Sequence, residues 1–197
     1  MPAAYVPGPN GPMVVAAGSV ATTTFDPSNT SADVTLSNGN LTLTTNTIPR
    51  TPCTRSIAHH GSGIYYTEVA VTTAANAYDI CIGVCNSSFP TTGGSIHLGT
   101  DANSAGIWVG DQVIYGNGNS NLRSTGITYA AGDRIGVEID KTNQTMRIRK
   151  NGGAYSLTAS LSFITGDYYF VIESFNSTST TNFGGSAYTD TPTGSNW

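Results

Sequence analysis

Between Arg134 and Lys150 the chain reads RIGVEID-KTNQ-TMRIRK, and in both arms the apolar residues fall on every second position. That period belongs to a strand, whose successive side chains alternate between faces, and does not fit the 3.6-residue repeat of a helix. Ile135, Val137 and Ile139 share one face, while Arg134, Gly136, Glu138 and Asp140 share the other. With KTNQ as the turn, Ile139 pairs with Met146 and Val137 with Ile148, which sets Glu138 opposite Arg147. Such a cross-strand charge pair is worth roughly 0.2–1 kcal/mol. Gly132-Asp133 makes a tight entry turn, Asp140 is placed to accept hydrogen bonds from turn amides, and Asn151-Gly152 supplies positive φ where the chain reverses.

The same grammar recurs along the chain. ADVTLSNGNLTLT is two alternating runs around Ser37-Asn38-Gly39-Asn40, and Asn-Gly between such runs is a strong hairpin signal. In GIYYTEVAV, residues 63–71, the set Tyr65, Thr67, Val69 and Val71 is the expected core face, set against Ile64, Tyr66 and Glu68. YDICIGVC is apolar on both faces and predicts a strand covered on both sides. AGIWVGDQVIYGNGN gives two short strands around Gly110-Asp111, and YYFVIESF gives a closing strand. No amphipathic stretch of helical period appears, so the fold class is all-β, an antiparallel β-sandwich.

Three segments follow from this reading. Residues 1–24 are rich in Pro, Gly, Ala and Val without periodicity and predict an extended arm that anchors the chain or contacts other subunits. Residues 25–185 carry the sandwich, and 186–197 return to loop composition, with Trp197 expected to tuck into a surface.

Charge and cysteine content narrow the function. Charged residues make up 10% of the chain, with net charge -4 and no cationic cluster beyond Arg147, Arg149 and Lys150. Nucleic-acid binding needs a basic footprint, and none is present. No apolar run approaches the roughly 20 residues of a membrane-spanning helix, and MPAAYVPGPNGP lacks the features of a secretory signal. Cys53, Cys81 and Cys85 are odd in number. Cys81 and Cys85 would lie about 13 Å apart on one strand at roughly 3.3 Å per residue, too far to bridge. They are expected to be reduced and buried, as in a chain folded in a reducing cytosol.

Catalytic groupings are thin. Glu138-Ile139-Asp140 is similar to the start of the carboxylate strand of laminarinase-like glycosidases, but Lys141-Thr142-Asn143-Gln144 supplies no second Glu to act as proton donor. His59 and His60 precede Gly61-Ser62-Gly63 and are expected in a solvated turn, while His97 is isolated in sequence. Asp101, Asn103 and Asp111 do not fit an EF-hand register. No cofactor and no metal are expected, and the Asn-x-Ser/Thr triplets at Asn29, Asn40, Asn86, Asn143 and Asn176 follow from composition.

The order of landmarks is more specific than any one of them. RSIAHHGSGIYYTEVAV, ICIGVCNSS, LGTDANSAGIWVGDQVIYGNG, GDRIGVEID-KTNQTMRIRKNG and GDYYFVIESF with TNFGG follow one another as do the strands of SPRY domains, and the chain resembles that family over roughly 25–185. FDPSNTSADVTLSNGNLTLT and LGTDANSAG further resemble the SPRY-like modules of bacteriophage tail fibres and virion appendages. Two departures concern loops: Arg147-Ile148-Arg149 stands where relatives carry an aromatic before Lys-Asn-Gly, and Gly153-Ala154-Tyr155 is a short connection.

The resemblance implies a SPRY-like, concanavalin-like jelly roll used as a rigid scaffold, with function in its loops. It implies a non-enzymatic virion component (tail fibre, head fibre or decoration protein) that adheres to host glycans or a receptor. Its partners would be other virion proteins reached through the arm, in a homo-oligomer such as a trimer. Trp108, Tyr115, Asn117, Asn119, Asn121 and Arg123 combine aromatic and amide groups in the manner of a sugar site and are the candidate ligand residues. The alternatives are an intracellular peptide-binding SPRY module and a sandwich glycoside hydrolase.

Overall fold

The computed structural model describes residues 23–46, 51–76, 78–92, 96–108, 110–192 and 194–197. The expected arm, apart from its last two residues, lies outside them. The described strands are β1 (Phe25–Thr30), β2 (Val34–Ser37), β3 (Thr42–Thr45), β4 (Cys53–His60), β5 (Ile64–Ala74), β6 (Ile80–Cys85), β7 (Ser104–Trp108) and β8 (Val113–Gly116). They continue as β9 (Ser120–Ser124), β10 (Arg134–Asp140), β11 (Thr145–Lys150), β12 (Ala159–Ser160), β13 (Tyr168–Ser174), β14 (Ser177–Asn182) and β15 (Ser195–Asn196). No helix occurs among the described residues.

The strands form two sheets, one ordered β1-β4-β13-β6-β7-β8-β9 and the other β12-β11-β10-β5-β14-β3-β2. Pairing is antiparallel throughout, except that β15 runs parallel to β5. The inner faces meet in one core, with Ile82, Val84, Ile107 and Phe170 from the first sheet and Val69, Val71, Val137, Ile139 and Ile148 from the second, all buried. The all-β sandwich expected from the alternation is the architecture observed.

The hairpin register follows from the period. Ile139 pairs with Met146, Val137 with Ile148, and Glu138 with Arg147. Arg147 donates from Nε and Nη2 to the two Glu138 oxygens at 2.7 and 3.0 Å. Asp140 closes the turn by accepting from Asn143 N at 2.8 Å and Asn143 Nδ2 at 2.7 Å. Glu138 is 7% exposed, so Arg147→Met strands a buried carboxylate. The expected loss is about 1–3 kcal/mol by urea denaturation, and the double variant with Glu138→Gln should recover a good part of it.

Two expectations change. The face of β5 carrying Tyr66 and Glu68 is not solvated, because the C-terminal segment covers it. Thr189 N and Asp190 N donate to Glu68 at 3.0 and 2.8 Å, and Tyr188 Oη donates to Tyr66 O at 2.6 Å. Arg134 Nη2 reaches Asp190 at 2.6 Å, and Arg149 Nη2 reaches Thr191 O at 2.7 Å. Loop composition had hidden a strap that ends with Trp197 in the core at 3% exposure.

The second change concerns His59 and His60, which lie on β4 rather than in a turn. Period two sends His59 outward and His60 inward with Ser56 and Ala58, where it stacks on Tyr65 at 3.5 Å between centroids. Burial lowers the His60 pKa to about 4, and no described residue bonds its Nε2. A base whose pKa falls on folding is stabilising while neutral, above the unfolded value near 6.5. That stability is lost as pH drops from there toward 4. The ring is half-buried, so solvent screening reduces the penalty to about 1–2 kcal/mol. Denaturation at pH 7 and pH 4.5 should show this loss in the parent and a smaller one in His60→Phe, which keeps the stacked ring.

Candidate functional site

On the outer face of the first sheet, period two in β6, β7 and β13 lines up residues that sequence keeps far apart. Trp108 pairs with Cys81, Cys81 with Glu173, and Glu173 with Cys53, giving one row across four strands. Of the stretch after β6, residues 86–92 and 96–103 fold back over this row. Phe89 and Leu98 pack on Cys53, Cys81, Cys85 and Val171. Leu98 can approach because Gly106 beneath it has no side chain: a Cβ there would lie 2.6 Å from Leu98 Cδ2. Asn86 pins the two ends of the segment by donating to Asn103 Oδ1, and it reaches Thr165 O as well, each at 3.1 Å. Asp101 accepts from Asn103 N at 3.0 Å and Ser104 Oγ at 2.7 Å, so its oxygens serve the turn.

Where this cover stops, the row opens into a cleft of about 460 Å³ lined by Tyr78, Asp79, His97, Thr100, Trp108, Asn119 and Phe175. Trp108 and Phe175 lie 6.1 Å apart with planes 26° from parallel. Tyr78 meets Trp108 edge-on at 6.2 Å and 68°, and His97 lies 5.9 Å from both Trp108 and Phe175. The rings stay partly open to solvent, with Tyr78 63% exposed.

Glu173 is fully buried at the base of the row. One oxygen takes His97 Nδ1 at 2.7 Å and the other takes Leu98 N at 2.7 Å, which satisfies the carboxylate without water. The hydrogen bond to Glu173 raises the His97 pKa against the opposing effect of burial. Asp79 is spent on the turn before β6, accepting from Ala75 N at 2.6 Å and Asn76 N at 2.7 Å. Asp111 takes the Tyr115 hydroxyl at 2.9 Å. Burial pushes the Cys53, Cys81 and Cys85 thiols up in pKa, so they pack rather than react. Among the described residues no group of His, Cys, Asp and Glu has the arrangement of a metal site.

Of the candidate ligand residues, the structure brings Trp108 and Asn119 into the cleft. Tyr115 stands on the same outer face, its backbone packed under Gly99. Asn117 and Asn119 take φ of 49° and 65° in the β8–β9 turn. Asn121 is exposed and pairs with Tyr115, whereas Arg123 pairs with Ile114 and donates to Thr158 O at 2.9 Å, away from the cleft. Tyr78, His97, Glu173 and Phe175 were not found by sequence reasoning. The available signal was the alternating set Tyr169, Val171, Glu173 and Phe175 within YYFVIESF, where a carboxylate shares a strand face with apolar residues.

The profile of the SPRY domain matches residues 64–186. Among solved structures, the SPRY domain of human HERC1 superposes with a TM-score of 0.67 at 17% identity, covering 80% of this chain and 96% of that one. The TRIM65 PSpry domain gives a TM-score of 0.63 at 17% identity, with 82% and 89% coverage. A third structure, described as a human SPRY domain, gives 0.56 at 15% identity, with 79% and 98% coverage. At these identities the superpositions speak for the fold alone. No curated protein matches the sequence.

Proposed function

The chain belongs to the SPRY domain family, and on that premise we propose that it is a non-catalytic recognition module whose ligand seats in the aromatic cleft around Trp108. One observation carries this reading. Tyr78, Trp108 and Phe175, from three separate segments, converge on a half-open cavity, whereas an aromatic cluster serving stability alone would be closed by packing. The carboxylates that could suggest catalysis are occupied structurally: Glu138 by Arg147, Asp140 by its turn, and Glu173 by His97 and Leu98.

The setting we propose is the bacteriophage virion, with the module displayed as part of a tail fibre, head fibre or decoration protein and adhering to a host-surface receptor or glycan. It is supported by the resemblance of FDPSNTSADVTLSNGNLTLT and LGTDANSAG to phage modules, and by a cleft in which Asn119 and Thr100 set polar groups beside aromatic rings. Residues 1–24 would anchor it to other virion proteins or to further copies of itself. An intracellular peptide-binding role is the second reading, favoured by family membership, since SPRY domains typically mediate protein–protein contacts.

Glycan and peptide arrays probed with the parent and with Trp108→Ala test the reading. A set of spots bound by the parent and lost in the variant supports it. Binding that is unchanged by Trp108→Ala places recognition elsewhere.

A further inference from the structure

We infer that the cleft anchors its ligand through a side-chain cation, an arginine or lysine of a partner protein, held against the rings of Trp108, Tyr78 and Phe175. The inference rests on the cleft being the recognition site and adds the chemistry of what enters it.

Charge complementarity decides between a cation and a neutral group. Among the described residues, and His97 apart, the fixed charges around the cleft are negative: Asp79 in its wall, Glu173 behind His97, and Asp111 outside the lining, in the turn after Trp108, where its amide donates to Trp108 O at 3.1 Å. When His97 is protonated, Glu173 balances it, and Asp79 and Asp111 remain unanswered. Every described Lys and Arg is engaged elsewhere. Arg55 lies 4.4 Å over Tyr169 and Lys141 lies 3.9 Å over Tyr168. Arg123 bonds Thr158 O, Arg134 pairs with Asp190, Arg147 with Glu138 and Lys150 with Asp133, while Arg149 bonds Tyr66 and Thr191. An open aromatic corner with no described Lys or Arg in its lining, where the carboxylates outnumber the one histidine, attracts an external cation by field focusing and by the ring quadrupoles.

The rings have cage geometry. Trp108 and Phe175 are inclined by 26° while Tyr78 stands at 68° to Trp108, so the walls meet as a corner rather than a flat platform. A flat platform suits the face of a sugar ring, and a corner suits a compact cation with an alkyl stem. The carboxylates act by field rather than by contact, since Asp79 and Glu173 are nearly or fully buried and hydrogen-bonded. The ligand therefore need not form a salt bridge to be selected for its charge.

Saturation-transfer NMR on the whole protein tests this with four probes: N-acetyl-argininamide, N-acetyl-lysinamide, N-acetyl-norleucinamide and N-acetylglucosamine. The expected result is binding of the two cationic amides at least about ten-fold tighter than norleucinamide, from the sum of ring and field attraction. It should weaken about three- to ten-fold in Asp111→Asn and further at high salt. Trp108→Leu should abolish it, with the folded spectrum retained as the control. If norleucinamide binds as well as the cations, the cation inference falls and the cleft reading stands. If only N-acetylglucosamine binds, a neutral glycan is the ligand and the inference is again overturned. If none of the four probes binds, or if Trp108→Leu binds like the parent, the cleft reading fails together with the inference.

Discussion

Trp197→Ala is expected to destabilise the protein by about 3–5 kcal/mol, the usual cost of deleting a large buried aromatic. The side chain is 3% exposed, and its Nε1 donates to Ser56 Oγ at 3.0 Å. Its ring lies 4.9 Å from His60 and 5.9 Å from both Tyr65 and Phe170. It also terminates the strap that pairs Ser195 and Asn196 with Tyr65 and Tyr66 and that satisfies Glu68. Losing the anchor frees the strap to lift, which adds the loss of its hydrogen bonds to Glu68 to the cavity cost. Against a typical total of about 5–15 kcal/mol, such a change removes a large part of the stability. Guanidinium denaturation of Trp197→Ala and Trp197→Phe checks it: the phenylalanine variant keeps a ring in the site and should lose about half as much or less. A loss under about 1 kcal/mol in the alanine variant would mean that the strap is decoration.

Gly83→Ala is the second large effect. Alanine in a strand is ordinarily better than glycine by about 0.5–1 kcal/mol, so propensity alone favours the change. Packing reverses the sign. A Cβ at Gly83 would fall onto the Ala105 carbonyl and lie 2.7 Å from Gly106 Cα, and both are backbone atoms that no rotamer change can move. Gly83 and Gly106 are register partners, so the clash opens the β6–β7 ladder itself. The expected cost is about 3 kcal/mol or more, at the upper end for overpacking. Because that ladder holds Trp108 opposite Cys81, the variant should also perturb the cleft. Thermal unfolding that matches the parent would contradict this account.

Sequence and structure agree where the governing interaction is local. The β10–β11 register follows from the alternation of Ile135, Val137 and Ile139 with Met146 and Ile148, and from one opposite-charge pair, all within a short hairpin. Asn38 and Gly39 adopt the positive φ that their identity predicts. Disagreement begins where a face is covered by something distant in sequence. Glu68 reads as a solvent residue because nothing in GIYYTEVAV reveals that Thr189 and Asp190 will donate to it. His60 reads as turn because glycines follow it, yet inner-face packing against Tyr65 and Trp197 keeps β4 extended to its end.

The cleft was half legible. Trp108 at the end of β7 and Asn119 in the β8–β9 turn are close in the chain and could be grouped by proximity in sequence. Tyr78, His97 and Phe175 join them only through the pairing of β7 with β6 and of β6 with β13. Arg123 was grouped with them by spacing, and the β8–β9 register turned it to the other side.

The most direct measurement is an amide and indole correlation spectrum of the labelled protein, recorded against a diverse set of small fragments. The chain has two tryptophans, one in the cleft and one in the core, so the indole of Trp197 serves as an internal control. The account predicts that fragments which bind will shift the Trp108 indole and the amides of His97, Asn119 and Phe175, and leave the Trp197 indole in place. Shifts that cluster on another face while Trp108 stays still would contradict it.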